Sequence, residues 1–172
     1  MPIEPGPEGG VCSLGPDRRL KWIDHGINRS NSPCWSPDDK TFYFSNSFLY
    51  TMYAYDYDIE SGEIANKRFF ANPTELGGSP DGATVGQDGL VWVAIYRGGK
   101  VAAFRPDGGL ERVVEIPTRL TSSVTFGGPN LDRLYVTSIE RDPLGNADPS
   151  GGYVYVVEDL GVRGVQEPRY RG

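Results

Sequence analysis

The sequence has few of the residues that carry nucleophilic catalysis and few of those that bind nucleic acid. It has one histidine, His25, in 172 residues. Leu20–His25 is typical of an outer strand that ends in a turn, so we expect a structural role for His25 and no Ser-His-Asp arrangement. The net charge is −6, and no run of Lys or Arg interrupts the acidic balance. That charge excludes binding to a phosphate backbone as the main function.

Long apolar segments and a cysteine framework are also missing. No apolar run approaches the roughly 20 residues of a membrane span, and residues 1–9 lack the apolar core of a signal peptide. The two cysteines, Cys12 and Cys34, occupy strand-like contexts. A disulfide between them is one interpretation, but buried free thiols in a cytosolic protein fit the low count better. Cys34 has no histidine partner in view, which argues against a thiol nucleophile. We therefore expect a soluble, cytoplasmic protein.

Helical periodicity is absent, and the pattern that replaces it has a period of two. The chain has 23 glycines and 14 prolines, which interrupt almost every segment long enough for a helix. The longest exception is Lys40–Ser61. Within it, tyrosines at 53, 55 and 57 alternate with residues of other types. Alternation of this kind predicts a strand, and the chain as a whole is predicted to be all-β.

One layout occurs three times along the chain. An apolar residue is followed by a Gly/Pro/Asp turn and then by an extended run centred on an aromatic residue, in the segments 35–43, 85–92 and 126–135. The aromatic residues are Tyr43, Trp92 and Tyr135, which are 49 and 43 positions apart. A spacing in the forties is roughly the length of one four-stranded blade of a β-propeller. The repeat therefore predicts a propeller.

A second type of extended segment follows each repeat and also precedes the first one. These segments are Gly10–Leu14, Tyr50–Asp56, Gly99–Phe104 and Gly152–Val156. Together the patterns predict about thirteen strands, which form three antiparallel four-stranded blades and a partial blade at the N-terminus. Residues 10–172 are predicted to be one array of blades without a domain boundary. Residues 1–9 are predicted to be a flexible N-terminal segment, and the loop Arg141–Ser150 is predicted to be loose.

Polar residues recur at one position of the repeat. Counting back four residues from Trp35, Val85 and Phe126 gives Asn31, Asp81 and Ser122. Each opens a strand that is otherwise apolar, and the first strand of each propeller blade lines the central channel. Oxygen donors from adjacent blades suit a hard cation such as Ca²⁺ or Mg²⁺. The alternative is that Asn31 and Asp81 are ordinary turn residues.

Several motifs resemble one family. The segment Ser30-Asn-Ser-Pro-Cys-Trp-Ser-Pro-Asp38 resembles the Ser-Asn-Gly-x-x-Trp-Ser-x-Asp segment of the regucalcin/gluconolactonase/luciferin-regenerating-enzyme family. The resemblance continues in order through Pro80-Asp81-Gly82, Leu90–Ala94, Thr121-Ser122-Ser123 and Leu160–Gly164, and covers roughly residues 9–172. It implies the C-terminal half of a six-bladed propeller, in a family of lactonases with one divalent cation on the channel axis.

The resemblance also implies roles for individual residues. Asn31 and Asp81 match two metal ligands, Asp81 corresponds to the carboxylate that activates the attacking water, and Ser122 would line the channel as a substrate contact. Ca²⁺ is the first candidate for the cation, with Zn²⁺, Mg²⁺ and Mn²⁺ as alternatives. The family's first-blade glutamate ligand, in a Glu-Gly-Pro segment, has no counterpart here, and Ser32 occupies the position of the usual glycine.

The implied function is a metal-dependent hydrolase of sugar lactones, or the metal-binding half of one. Two alternatives stay open: a non-catalytic propeller fragment that acts as a binding or assembly module, and a related esterase or phosphotriesterase. Three blades do not close a ring, since propellers typically have 4–8, and open strand edges favour association. A homodimer, a partner that supplies the N-terminal half, and a monomer are the assemblies to distinguish. We expect a small sugar lactone as substrate, and neither nucleic acid nor membrane as a partner.

Overall fold

A computed structural model describes residues 9–15 and 17–167 of the chain, and this part is all-β. Two single 3₁₀ turns, Ser47–Leu49 and Thr74–Leu76, accompany the strands, and no helix in the described residues is long and apolar enough to cross a bilayer. The strands are β1 Gly10–Leu14, β2 Leu20–His25, β3 Ser30–Trp35, β4 Thr41–Asn46, β5 Thr51–Asp58, β6 Glu63–Ala71, β7 Ser79–Val85, β8 Val91–Tyr96, β9 Lys100–Phe104, β10 Leu110–Glu115, β11 Thr121–Gly127, β12 Arg133–Ser138 and β13 Val154–Val157.

These strands form four antiparallel sheets in chain order. The first sheet is β1–β2, the second β3–β6, the third β7–β10 and the fourth β11–β13, and every strand pairs with its neighbour in sequence. The second and third sheets have the four strands expected of a blade. The fourth sheet has three strands in the described residues, so the predicted third four-stranded blade is not confirmed. The segment predicted to be flexible lies outside the described residues, apart from Gly9.

Apolar layers hold successive sheets together. The tyrosine-rich strand β5 contributes to two of them, because its two faces meet different neighbours. Tyr55 packs into the layer shared with the first sheet, whereas Met52 and Ala54 pack into the layer shared with the third sheet. Phe70 and Phe104 join the second of these layers, with ring centroids 6.3 Å apart. The predicted alternation of β5 is confirmed, and each of its faces is buried against a separate sheet.

The repeated aromatic residues have one packing role. Tyr43 is buried in the layer between the second and third sheets, and Trp92 in the layer between the third and fourth. In both cases the aromatic ring on the second strand of a sheet packs against the next sheet along the chain. Tyr135, at the equivalent position of the fourth sheet, instead covers Gly127 of its own sheet and is half-buried. The face of the fourth sheet that carries Tyr135 is therefore open.

Both cysteines are free thiols, as the low cysteine count predicts, but only one of them is buried. Cys34 lies in the layer between the second and third sheets, where burial raises the pKa of its thiol well above the usual range. Cys12 is exposed, because it pairs with Trp22 on the outer face of the first sheet. The expectation that both thiols are buried is wrong for Cys12.

The loop Arg141–Ser150, predicted to be loose, is tied to the third and fourth sheets. Arg97 forms an ion pair with Asp142, with 3.0 Å between Nη2 and Oδ2. The carboxylate of Asp148 accepts hydrogen bonds from Thr118 Oγ1 at 2.8 Å and from a backbone N–H at 2.7 Å. Both aspartates are buried. A loop rich in Pro and Gly is therefore fixed by two buried carboxylates.

Candidate functional site

The first strands of three sheets lie side by side and begin at the same end of the array. β3 contacts β7, and β7 contacts β11. Each strand carries a β-bulge at the repeat position, where its register against the next strand shifts by one residue. Asn31 is the last paired residue before its bulge, and Asp81 and Ser122 lie within theirs. Bulges of this kind re-aim side chains and are frequent next to active sites.

Asn31 is connected to the neighbouring sheet through one buried hydroxyl. Its side-chain amide nitrogen donates to Ser47 Oγ at 2.8 Å. The same hydroxyl donates to the backbone carbonyl of Pro80 at 2.6 Å. Pro80 immediately precedes Asp81 in β7. The structure therefore links the two residues predicted as metal ligands, with one serine between them.

A second serine connects the same two strands. Ser32 is completely buried and has a φ of 60°, in the left-handed region that favours glycine. Its hydroxyl donates to the backbone carbonyl of Asp81 and lies 2.9 Å from Ser45 Oγ. The backbone conformation explains why a glycine suits this position. The two hydrogen bonds offset part of the strain that a serine adds there.

The Asp81 carboxylate is partly buried and has no direct counter-charge. Among residues 9–15 and 17–167 it has no hydrogen-bond donor and no ion-pair partner. Burial raises its pKa to about 6, and the charge of Arg29 opposes that shift without cancelling it. A carboxylate in this state can either bind a cation or accept a proton near neutral pH.

Ser122 has no hydrogen bond to Asn31, Asp81 or their serine partners in the described residues. Its hydroxyl lies 2.9 Å from Thr137 Oγ1, which belongs to the next strand of its own sheet. The close approach between β7 and β11 is made by the adjacent residues instead. A Cβ placed on Gly82 would lie 2.6 Å from the Cβ of Ser123. The structure therefore connects Asn31 through Ser47 to the peptide that precedes Asp81, whereas Ser122 bonds within its own sheet.

The donors present here suit part of a cation site. An amide oxygen and a carboxylate are the ligands that Ca²⁺ and Mg²⁺ prefer, and the unpartnered Asp81 carboxylate needs a positive charge. Ca²⁺ takes six to eight oxygens, so two side chains are too few. No group of three or more His, Cys, Asp or Glu side chains in the described part of the chain could complete the set. The residues fit half of a cation site.

Sequence reasoning missed the serines and Arg29. Ser45 and Ser47 follow the aromatic run of β4, a position without any pattern typical of a functional residue. Their roles depend on contacts with β3 and β7, which are distant in sequence. Arg29 affects Asp81 across a separation of 52 positions.

Comparison with known proteins supports the resemblance seen in the motifs. Residues 1–140 match the model of the SMP-30/Gluconolactonase/LRE-like region. Human regucalcin is 35% identical over 169 residues, which cover 96% of this chain and 56% of regucalcin. Regucalcin from rabbit (Oryctolagus cuniculus) is 33% identical over 170 residues, with the same shares covered. This chain therefore spans about half the length of the curated relatives it matches.

Solved structures give the same result for the fold. A luciferin-regenerating enzyme superposes with a TM-score of 0.87 at 35% identity, covering 96% of this chain and 58% of the enzyme. A regucalcin from Agrobacterium tumefaciens, described as a calcium-binding protein, gives a TM-score of 0.81 at 28% identity, with 90% and 53% covered. A gluconolactonase from Xanthomonas campestris gives 0.64 at 28% identity, with 75% and 41% covered. The chain belongs to the SMP-30/gluconolactonase/LRE-like family.

Proposed function

We propose that this chain supplies Asn31 and Asp81 as two ligands of a divalent cation, Ca²⁺ first, in a hydrolase of sugar lactones. The observation that carries the proposal is the partly buried Asp81 carboxylate, which has no cationic partner among the described residues and lies next to an asparagine held by the same serine that bonds Pro80. The relatives support it, since they include a calcium-binding regucalcin and a gluconolactonase.

In the proposed hydrolysis, the cation would activate the carbonyl and the water, and the protein would accept the proton. A bound divalent cation polarises a carbonyl oxygen and lowers the pKa of water. Without a cation the pKa of Asp81 is about 6, so its carboxylate is largely ionised at neutral pH and would accept the proton that an attacking water releases. Asn31 offers an uncharged oxygen, which binds without competing for that proton. Ring opening would follow when the bond between the carbonyl carbon and the ring oxygen breaks and the proton held by Asp81 passes to that oxygen, without a covalent enzyme intermediate.

The proposal is tested by calorimetric titration of the purified chain with Ca²⁺, and in parallel with Mn²⁺, Mg²⁺ and Zn²⁺. Hydrolysis of glucono-1,5-lactone, followed by acid release at constant pH, reports turnover. We expect one cation site and a hydrolysis rate that disappears with chelator. Asp81→Asn should bind no cation. Asp88→Asn is its matched control, because Asp88 lies in the turn at the other end of β7 and accepts a hydrogen bond from Leu90 N. Absence of cation binding in the wild type would contradict the proposal.

The first and fourth sheets expose faces that a second chain could cover, and that chain could supply further ligands to the site. The outer face of the first sheet exposes Leu14, Leu20 and Trp22, with exposed fractions of 52%, 72% and 56%. At the other end the fourth sheet exposes the face that carries Tyr135. The second and third sheets pack the equivalent faces against neighbouring sheets. A further sheet of the same repeat would therefore fit the exposed faces of the first and fourth sheets. We propose a second copy of the chain in that position, which would bring two Asn31–Asp81 pairs around one axis.

Light scattering after gel filtration tests this assembly. We expect a mass of twice the 18.9 kDa of one chain, with and without Ca²⁺. Trp22→Lys should reduce the mass to that of one chain, because a charge on this face opposes burial. Phe69→Lys is the matched control, since Phe69 is 65% exposed on the outermost strand of the second sheet. A wild-type mass of 18.9 kDa would overturn the dimer and favour a different chain, or none, at these faces.

A further inference from the structure

The amide of Asn31 can serve a cation through its oxygen only, because an amide nitrogen is a donor and not a ligand. Which end of the amide faces the site is therefore a functional property. The two ends are distinguished by their hydrogen-bond partners rather than by shape. The one partner of this amide in the described residues is Ser47, which begins the 3₁₀ turn after β4 and is 3% exposed.

The hydrogen-bond inventory of Ser47 fixes the orientation. Its hydroxyl carries one proton, and its two near neighbours are the carbonyl oxygen of Pro80 at 2.6 Å and the side-chain nitrogen of Asn31 at 2.8 Å. A carbonyl only accepts, so the hydroxyl proton goes to Pro80. The hydroxyl oxygen must then accept from Asn31. If the amide were reversed, its oxygen would face the hydroxyl oxygen of Ser47. Both atoms are acceptors, and no proton would lie between them because Ser47 donates its own to Pro80.

We propose that Ser47 is a positioning residue that turns the oxygen of Asn31 toward the cation and sets its distance from Asp81. The nitrogen end of the amide is occupied by Ser47, and the oxygen end has no hydrogen-bond partner among residues 9–15 and 17–167. The second bond of Ser47 holds the peptide that precedes Asp81. One buried hydroxyl thus controls both ligands across the boundary between two sheets. This inference rests on the proposed cation site.

Ser47→Ala tests the proposal against a purely structural role. Loss of the hydroxyl leaves the amide free to reverse, and we expect Ca²⁺ affinity to fall by about 10-fold or more, as for other groups that orient metal ligands. Ser47→Thr keeps the hydroxyl and should retain most of the affinity. Ser79→Ala is the matched control, because Ser79 is a buried serine of β7 whose hydroxyl has no hydrogen bond in the described residues. Equal affinities for Ser47→Ala and Ser79→Ala would overturn the proposal.

A second measurement needs neither a cation nor a folded variant. In the wild-type protein, the side-chain amide protons of Asn31 should exchange with solvent at least about 10-fold more slowly than those of Asn130, an exposed asparagine without a side-chain hydrogen bond in the described residues. Equal exchange rates would refute the hydrogen bond itself. If the wild type binds no Ca²⁺ but its Asn31 protons are protected, the cation site and the positioning role both fail, and only the hydrogen bond between Asn31 and Ser47 stands.

Discussion

Asp81→Asn is expected to abolish cation binding and, in the absence of metal, to make the protein more stable. Asparagine has nearly the same shape as aspartate but no charge to bury. The raised pKa of Asp81 shows that the folded protein disfavours the ionised carboxylate. A shift from 3.8 to about 6, discounted for partial exposure, is equivalent to about 1–2 kcal/mol of folding free energy at neutral pH. Function and stability therefore oppose each other at this residue.

The pH dependence follows from the direction of the shift. Well below pH 3.8 the carboxyl is protonated in both the folded and unfolded chains, so its ionisation contributes nothing to stability. As the pH rises from there to about 6, the unfolded chain ionises first, and the wild-type protein loses stability. Above about pH 6 the carboxylate is ionised in the folded chain as well, and the full free-energy cost of burying its charge lowers stability. The advantage of Asp81→Asn should therefore be absent at acid pH and constant above neutrality.

Urea denaturation of wild type and variant in the presence of a chelator measures this difference. The expected result is a higher midpoint for Asp81→Asn at pH 7.5 and equal midpoints at about pH 3.5, with unchanged m-values. Asp88→Asn should leave both midpoints and Ca²⁺ binding unaltered. An Asp81→Asn protein that is less stable than wild type at pH 7.5, or that still binds Ca²⁺ with full affinity, would show that this carboxylate is structural.

Local patterns of the sequence were sufficient for most of the strands, and they marked Asn31 and Asp81 as candidate site residues. The alternation in β5 is carried by one segment, and the spacing of Tyr43, Trp92 and Tyr135 is carried by the repeat along the chain. Asn31 and Asp81 stand out because they are polar residues at the start of apolar strands.

The remainder of the site depends on contacts between sheets. Ser47 donates a hydrogen bond to the carbonyl of Pro80, and Ser32 donates one to the carbonyl of Asp81. The residues around a serine do not predict which distant carbonyl it will bond. The bulges add one residue to each inner strand, which changes the direction of a side chain without changing composition. Ser122 illustrates the effect, since it shares the repeat position but bonds Thr137 in its own sheet. The loop Arg141–Ser150 is fixed in the same way, by an arginine about 45 positions earlier.

Trp92→Ala is expected to cause the largest loss of stability in the chain. Trp92 is fully buried between the third and fourth sheets, and its ring meets Phe126 edge to face, with centroids 6.0 Å apart and planes at 87°. Removal of a buried tryptophan typically costs about 3–5 kcal/mol, enough to unfold many domains. The indole N–H has no hydrogen-bond partner in the described part of the chain. Trp92→Phe removes that unpaired donor and keeps most of the packing, so we expect it to cost less than about 1.5 kcal/mol.

Tyr135→Ala provides the comparison within the repeat, because Tyr135 has the position of Trp92 in a sheet whose outer face is open. In a monomeric chain its removal should cost clearly less than Trp92→Ala, since part of the ring already contacts water. In a dimer that covers this face, the cost should rise with protein concentration, because folding and association are then linked. Urea denaturation of the three variants at several concentrations separates these cases. A loss for Tyr135→Ala that equals that for Trp92→Ala at every concentration would contradict an open face on the fourth sheet.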